Sequence, residues 1–426
     1  MLQVAIWCLV VTAVLAYVNH RFVGLPTSIG VMTIALAISI GLIGLDHLGL
    51  SRPRHLETSL MASVDFADVL LHGMLAVLLF AGGLQLEFGR LRRYRWPIGA
   101  LAVLGTFLSA ALVGTALWKL LPLVDVNLPL AYCLVFGALI SPTDAVAVSA
   151  ILESAGIPKP VESLIAGESL FNDAVGVVLF ALALSMIKTG DAPTWRSGLE
   201  LLLREGGGGI ALGLVLGYLL YAMLKDVRSF QVEVLLTLAA VLGGYGLANS
   251  LTFSGPLTTV VIGLVVGTRS QAEASPPTPR GHLVRFWVLL DGLLNTVLFV
   301  LIGLEVVRVD FSVGIFAAAL LTIAITLAAR TLSVAAPLSL LRRVLELPRG
   351  SWQLLTWAGL RGGVSVALAL SLPDGPNRET VLALTYCVGV VSILGLGLTI
   401  GRGARRLLGP QPVKAPGAAA DEGPRP

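Results

Sequence analysis

Charge is scarce in this chain of 426 residues: Asp, Glu, Lys and Arg together make up 13% of it, against about 25% in an ordinary soluble domain. Cysteine is scarcer. Cys8, Cys133 and Cys387 lie far apart, each inside an apolar stretch, which excludes a disulfide framework and a thiolate metal site. The five histidines are scattered singly, and only His72 falls inside an apolar run. No HExxH zinc motif, GxGD aspartate pair or serine–histidine arrangement is present, so an intramembrane protease has nothing to work with. The net charge is only +4, and its basic residues sit in short loops, which argues against a phosphate-binding face and a nucleic-acid partner.

What the chain has in quantity is apolar sequence: 56% hydrophobic residues and a mean hydropathy of +0.89. These residues come in runs of about 20, the length that spans a hydrocarbon core. The fold class is therefore an all-α polytopic membrane protein. Thirteen spans are expected, roughly at 2–19, 24–45, 66–86, 97–121, 128–155, 161–187, 205–223, 230–249, 256–268, 284–304, 312–341, 352–373 and 380–401. The first has no Lys or Arg before its apolar stretch and reads as a membrane helix and not as a cleaved signal. Residues 403–426, rich in Pro, Gly and Ala, read as a short disordered tail.

Nineteen of the 29 Lys and Arg fall in segments on one side of this topology and eight on the other. The positive-inside rule then places the N-terminus outside and the C-terminus in the cytoplasm of a multi-pass protein of the cell membrane. Span 5 is interrupted by SPTD (Ser141 to Asp144) and span 12 by GLRGG (Gly359 to Gly363). The two lie seven spans apart, as expected if residues 1–187 and 230–402 are two inverted six-helix repeats joined by a linker helix at 205–223. Paired interruptions of this kind point to a transport site near mid-membrane.

Five ionisable residues lie inside spans and away from loop edges: Asp144, Glu168, Asp173, Arg330 and Arg361. A charge at mid-bilayer costs about 2.5–3.5 kcal/mol on insertion scales, so such residues normally pair or line an ion path. On the helix of span 6, residues four apart share a face. Ser169 and Asp173 form one such pair, Glu168 and Asn172 another. Glu168 and Asp173 are five apart, about 140° around the helix, which suggests two separate tasks for the two acids. Pro142 breaks span 5 and frees backbone carbonyls beside Thr143 and Asp144. Carboxylate, hydroxyl and carbonyl oxygens suit a small hard cation such as Na⁺. Asp144 and Arg361, of opposite sign, stand at the two breaks. They could compensate the helix ends there, and Asp144 could equally be an ion ligand. Asp291, in span 10, is a further semi-buried acid without an assignable role.

With these residues in hand, the chain resembles the monovalent cation:proton antiporter family that includes the Na⁺/H⁺ exchangers. The segments that carry the resemblance are GALISPTDAVAVSAIL (137–152), GESLFNDAVGVVLF (167–180), LLNTVLFVLIGLEV (293–306), ARTLSVAAP (329–337) and GLRGGVSVALALSLP (359–373). The resemblance implies a fold of thirteen helices with two broken helices crossing at mid-membrane, a homodimer in the lipid bilayer, and no cofactor. It implies that Asp173 takes the cation or the proton, with Thr143, Asp144, Ser169 and Asn172 around the ion and Asp173, Ser169 and Thr143 as Na⁺ ligands. It also implies that Glu168 ion-pairs with Arg330 and that Arg361 serves the second break. Two positions depart from the family pattern: Ala145, where proline is common, and Ala81, where many relatives carry an acid, with Gln85 one turn on.

The expected activity is electroneutral exchange of one monovalent cation for one proton by alternating access, both competing for Asp173. Na⁺ is the first choice and Li⁺ is possible. K⁺/H⁺ or mixed-cation exchange is the alternative, with a cation channel and an intramembrane enzyme as distant ones. The chain is expected to be a transporter and not an enzyme.

Overall fold

The computed structural model describes residues 2–47, 73–86, 88–144, 148, 157–190, 195–227, 229–272, 280–306, 313–341 and 350–408. Among these the secondary structure is helical, with no strand. The helices that matter below are α1 (Leu2–Val18), α2 (Thr27–His47), α3 (Leu75–Gln85), α4 (Arg95–Val124), α5 (Leu130–Ile140), α6 (Lys159–Thr189) and α7 (Gly198–Asp226). They continue with α8 (Phe230–Ser250), α9 (Gly255–Ala272), α10 (Arg280–Glu305), α11 (Val313–Leu341), α12 (Ser351–Trp357), α13 (Gly363–Leu370) and α14 (Pro376–Leu407).

Nine helices among the described residues are long and apolar enough to cross a membrane, and α3, α5 and α9 contain shorter apolar stretches. The stretch read from the sequence as span 12 is two pieces, α12 and α13, with residues 358–362 between them. The interruption at Ser141 likewise ends α5, while Ala145 and most of the second half of expected span 5 lie outside the described residues, as do His72 and the tail beyond Leu408. Residues 403–408, read as tail, continue the last helix. Ile400 and Ala404, one turn apart, are both buried there, so packing carries the helix past the apolar run.

Most of these helices are apolar all round, and large side chains such as Ile6, Trp7, Leu235, Phe316 and Leu340 are exposed. A helix that is apolar on every side belongs in lipid. Two packed bodies flank the site, and a larger core around Met32, Phe299 and Leu360 ties α10 of the second to α6, α13 and α14 of the first. One core joins α4, α5, α6, α11, α13 and α14 around Phe136, Leu139, Phe180 and Leu384. Another joins α3, α7, α8, α9 and α10 around Phe80, Val241, Ile262 and Trp287. The second body depends on close backbone approach. A Cβ at Gly83 would lie 2.7 Å from the Val260 carbonyl, and one at Gly213 2.8 Å from the Thr258 carbonyl. Small residues let membrane helices approach this closely.

Candidate functional site

The two helix breaks meet. α5 ends at Ile140, where Ser141 Oγ donates to the Gly137 carbonyl at 2.6 Å, and residues 142–144 run without helical structure. The carbonyls of Ser141 and Pro142, freed by the break, accept from Arg361 Nη1 at 2.7 and 3.1 Å. A guanidinium thus stands at the C-terminal, negative end of the α5 dipole. In return the Asp144 N–H donates to the Leu360 carbonyl at 2.8 Å. The Asp144 carboxylate lies against Gly362, where a Cβ would come within 2.7 Å of Oδ2, beside the N-terminus of α13. The Arg361 N–H is held by Ser392 Oγ at 3.1 Å, from a π-helical turn inside α14.

Helix α6 brings its acids to different places. Glu168, 1% exposed, faces α11, where Arg330 grips it with both terminal nitrogens: Nη1 to Oε1 at 2.5 Å and Nη2 to Oε2 at 2.9 Å. Arg330 Nη2 also donates to the Leu355 carbonyl at 2.9 Å, tying in α12. Fork geometry of this kind is the strong form of ion pairing. One residue further round, Ser169 faces the break: its Oγ is 3.0 Å from Thr143 Oγ1. Asn172 joins both groups. Its Nδ2 donates to Thr143 Oγ1 at 2.9 Å and to Glu168 Oε1 at 3.3 Å, and its Oδ1 accepts the Thr143 N–H at 3.2 Å.

Asp173 is half-buried and opens onto a cavity of about 390 Å³ between the two bodies. Asp144, Ser169 and Asp173 line it from the α5–α6 side, with Gly362 and Gly363 at the second break. Gln85 of α3 and Asp291 and Asn295 of α10 line it from the other body. Lys159 and Glu162, ion-paired at 3.1 Å, stand where the cavity meets solvent, and the Lys159 side chain is 59% exposed. Thr143 and Asn172 are 1% and 0% exposed and lie behind the wall, bonded to each other and to the residues that face the cavity. Of the residues singled out in the sequence, then, Asp144, Ser169 and Asp173 reach the cavity. Thr143 and Asn172 support them, Glu168 and Arg330 pair outside it, and Arg361 holds the break.

Several contributors escape sequence reasoning. Ser392 and the Leu355 carbonyl are too far along the chain to be linked to their arginines. Asn295 is neutral and looks like an ordinary membrane-helix polar residue, and Gln85 is visible in the sequence only as the polar residue one turn on from Ala81. Asn295 did carry one signal, since it follows Asp291 by four positions, and its Nδ2 donates to Asp291 Oδ1 at 3.0 Å.

A cavity that opens towards solvent, with carboxylates and hydroxyls set among apolar side chains and backed by two broken helices, is equipped to exchange a small cation with solvent. No group of three or more His, Cys, Asp or Glu with metal-binding geometry exists among the described residues, so a tightly held divalent metal has no cage there. The family model "Sodium/hydrogen exchanger, transmembrane" matches residues 10–405. The Na⁺/H⁺ antiporter NhaP of Pseudomonas aeruginosa is 44% identical over 418 residues, 97% of this chain and 99% of that one. The Na⁺/H⁺ antiporter NhaH of Halobacillus aidingensis is 33% identical over 371 residues, 85% of this chain and 90% of that one. Among solved structures, the sodium proton antiporter MjNhaP1 from Methanocaldococcus jannaschii at pH 8 aligns with a TM-score of 0.74 over 95% of this chain and 97% of that chain. Its sequence is 19% identical, so this likeness concerns the fold.

Proposed function

The chain belongs to the sodium/hydrogen exchanger family, and on that premise we propose that it exchanges Na⁺ for H⁺ across the cell membrane, one for one, with both ligands competing for Asp173. The observation that carries this reading is the placement of Asp173. Further along α6 than Glu162, which pairs with Lys159 at the mouth, it opens onto the cavity beside Ser169, while Glu168 is committed to Arg330. A carboxylate that holds a proton has lost the charge that holds a cation, and a bound cation excludes the proton. The neighbour of Asp173 in sequence is the neutral Asn172, whose amide is bonded into the wall. One exchangeable charge per cycle supports electroneutral exchange. Asp144 and Ser169 complete the cation's surroundings in this reading. Thr143 and Asn172 fix the geometry of the wall behind them.

The contact between the two breaks supports a transport site at mid-membrane. Its pairing of opposite charges with opposite helix ends supports Arg361 and Asp144 as compensation for the α5 and α13 termini. The thirteen-span arrangement as two inverted repeats with a linker helix, the cytoplasmic C-terminus and a homodimer belong to the same proposal. They rest on the distribution of Lys and Arg, on the seven-span offset of the breaks and on the resemblance.

The test uses purified protein in liposomes containing a pH-sensitive dye. After a pH gradient is imposed, Na⁺, Li⁺ and K⁺ are added in turn, with membrane potential clamped by valinomycin and K⁺ or left free. Na⁺ should collapse the gradient at a rate independent of the clamp, and Asp173→Asn should abolish the response while eluting as folded protein. A response to K⁺ alone would replace the cation. A rate that follows the potential would overturn the one-for-one stoichiometry.

A further inference from the structure

Asp291 stands across the cavity from Asp173, on the other packed body. It is 7% exposed, yet it lines the cavity together with Asp144 and Asp173. Its polar neighbours are neutral amides: Asn295 Nδ2 donates to Oδ1 at 3.0 Å, and Gln85 lines the same cavity. The fixed cations near the site are engaged elsewhere: Arg330 with Glu168, Lys159 with Glu162, and Arg361 with the carbonyls of Ser141 and Pro142. Another acid, Asp144, lines the same cavity. A buried carboxylate is normally paired or coordinates a cation, and here no fixed partner of positive charge exists among the described residues.

Its height in the cavity is also informative. Asp291 is eleven residues into α10, and Asp173 fourteen residues into α6, a difference of about one turn. Both helices run from the cytoplasmic side in the proposed topology. Gln85, at the C-terminal end of α3, sits at the same end of the cavity. Asp291 therefore stands about one turn nearer than Asp173 to the start of its own helix, and Lys159 and Glu162 mark the solvent mouth at the start of α6.

We propose that Asp291 is a cation-handling residue of the exchange reaction, which holds the incoming cation on the α10 side of the cavity before it reaches Asp173. This rests on the exchange reading above. The opposing explanation is that Asp291 is a protonated, purely structural hydrogen-bonding group. Asn is the isostere of that protonated acid, so the two explanations part at one substitution. If Asp291 handles the cation, Asp291→Asn should raise the KM for Na⁺ about tenfold in the liposome assay, leave kcat within about twofold of wild type, and be rescued by Asp291→Glu. An unchanged KM, or a fall in kcat with KM unchanged, overturns the proposal. Should Asp291→Asn not yield folded protein, Asp291→Ser carries the same comparison. Protection of the purified protein against thermal unfolding by Na⁺ gives a readout that needs no transport. Wild type should require several-fold less Na⁺ than Asp291→Asn, and equal Na⁺ dependence overturns the proposal even if no cation drives exchange. Loss of exchange in wild type with this difference intact would instead refute the antiport reading alone.

Discussion

At the scale of single residues, the neighbouring acids of α6 separate by what surrounds them. Glu168 faces a guanidinium that uses both terminal nitrogens on it; Asp173 faces a cavity. Truncating one partner of a buried pair leaves the other charge unmatched, and such losses run to about 3–5 kcal/mol. Glu168→Ala should therefore lower the melting temperature of the detergent-purified protein by many degrees and reduce the yield of folded protein. Asp173→Asn should leave both close to wild type. Removing both charges as Glu168→Leu with Arg330→Met should recover much of the stability, since a well-packed apolar pair avoids the desolvation of two ions. If Glu168→Ala melts like wild type, the pair does not stabilise the fold, and its geometry matters only for transport.

At the scale of elements, the two interrupted helices act as one unit. Arg361 accounts for two carbonyls that the break at Pro142 leaves without donors, and each buried group left unsatisfied costs about 1–3 kcal/mol. Arg361→Ala should destabilise the protein and abolish exchange. Arg361→Lys keeps the charge but not the reach of the fork, so it should recover stability more than rate, as a melting curve beside the liposome assay would show. Glycines set the other element-scale constraint: Gly213→Leu would force α7 away from α9, where the Thr258 carbonyl already lies 2.8 Å from the position a Cβ would take. It should lower the melting temperature and the yield of folded protein. The breaks themselves were legible in the sequence, because proline and a glycine cluster inside apolar runs have few other readings. The separate placement of Glu168 and Asp173 on α6 was legible too, since 3.6 residues per turn fixes which side chains share a face. What lies opposite each face was not. Helical spacing places Thr143 and Asn172 near the ion as readily as behind the wall, and only packing shows their polar atoms bonded to each other and to Ser169 and Glu168. Asp291 was visible as an acid in an apolar span, but its position across from Asp173 depends on how two bodies distant in sequence come together.

At the scale of the whole molecule, the proposed alternating-access mechanism requires a cavity that opens to one side at a time. Its solvent end is marked by Lys159 and Glu162, at the start of α6. Towards the other ends of α6 and α13, Phe180, Leu368 and Leu372 are buried with Phe136 in one core. In the proposed topology the solvent end is cytoplasmic, so this is an inward-open arrangement. Exchange without leak needs a second arrangement in which the two bodies shift and the other end opens. A thiol probe separates these statements. In a variant whose Cys8, Cys133 and Cys387 are replaced by serine or alanine, Ala166→Cys places a thiol on the cavity wall. A membrane-impermeant reagent should modify it from the cytoplasmic face of oriented vesicles, and Na⁺ should slow the reaction several-fold by occupying the cavity. Leu372→Cys, buried beyond Asp173, should react slowly from either face at rest. It should react faster from the outer face when a Na⁺ gradient drives turnover. Modification of Ala166→Cys from the outer face alone would invert the topology, whereas equal modification from both faces would mean a continuous pore and remove alternating access from the mechanism.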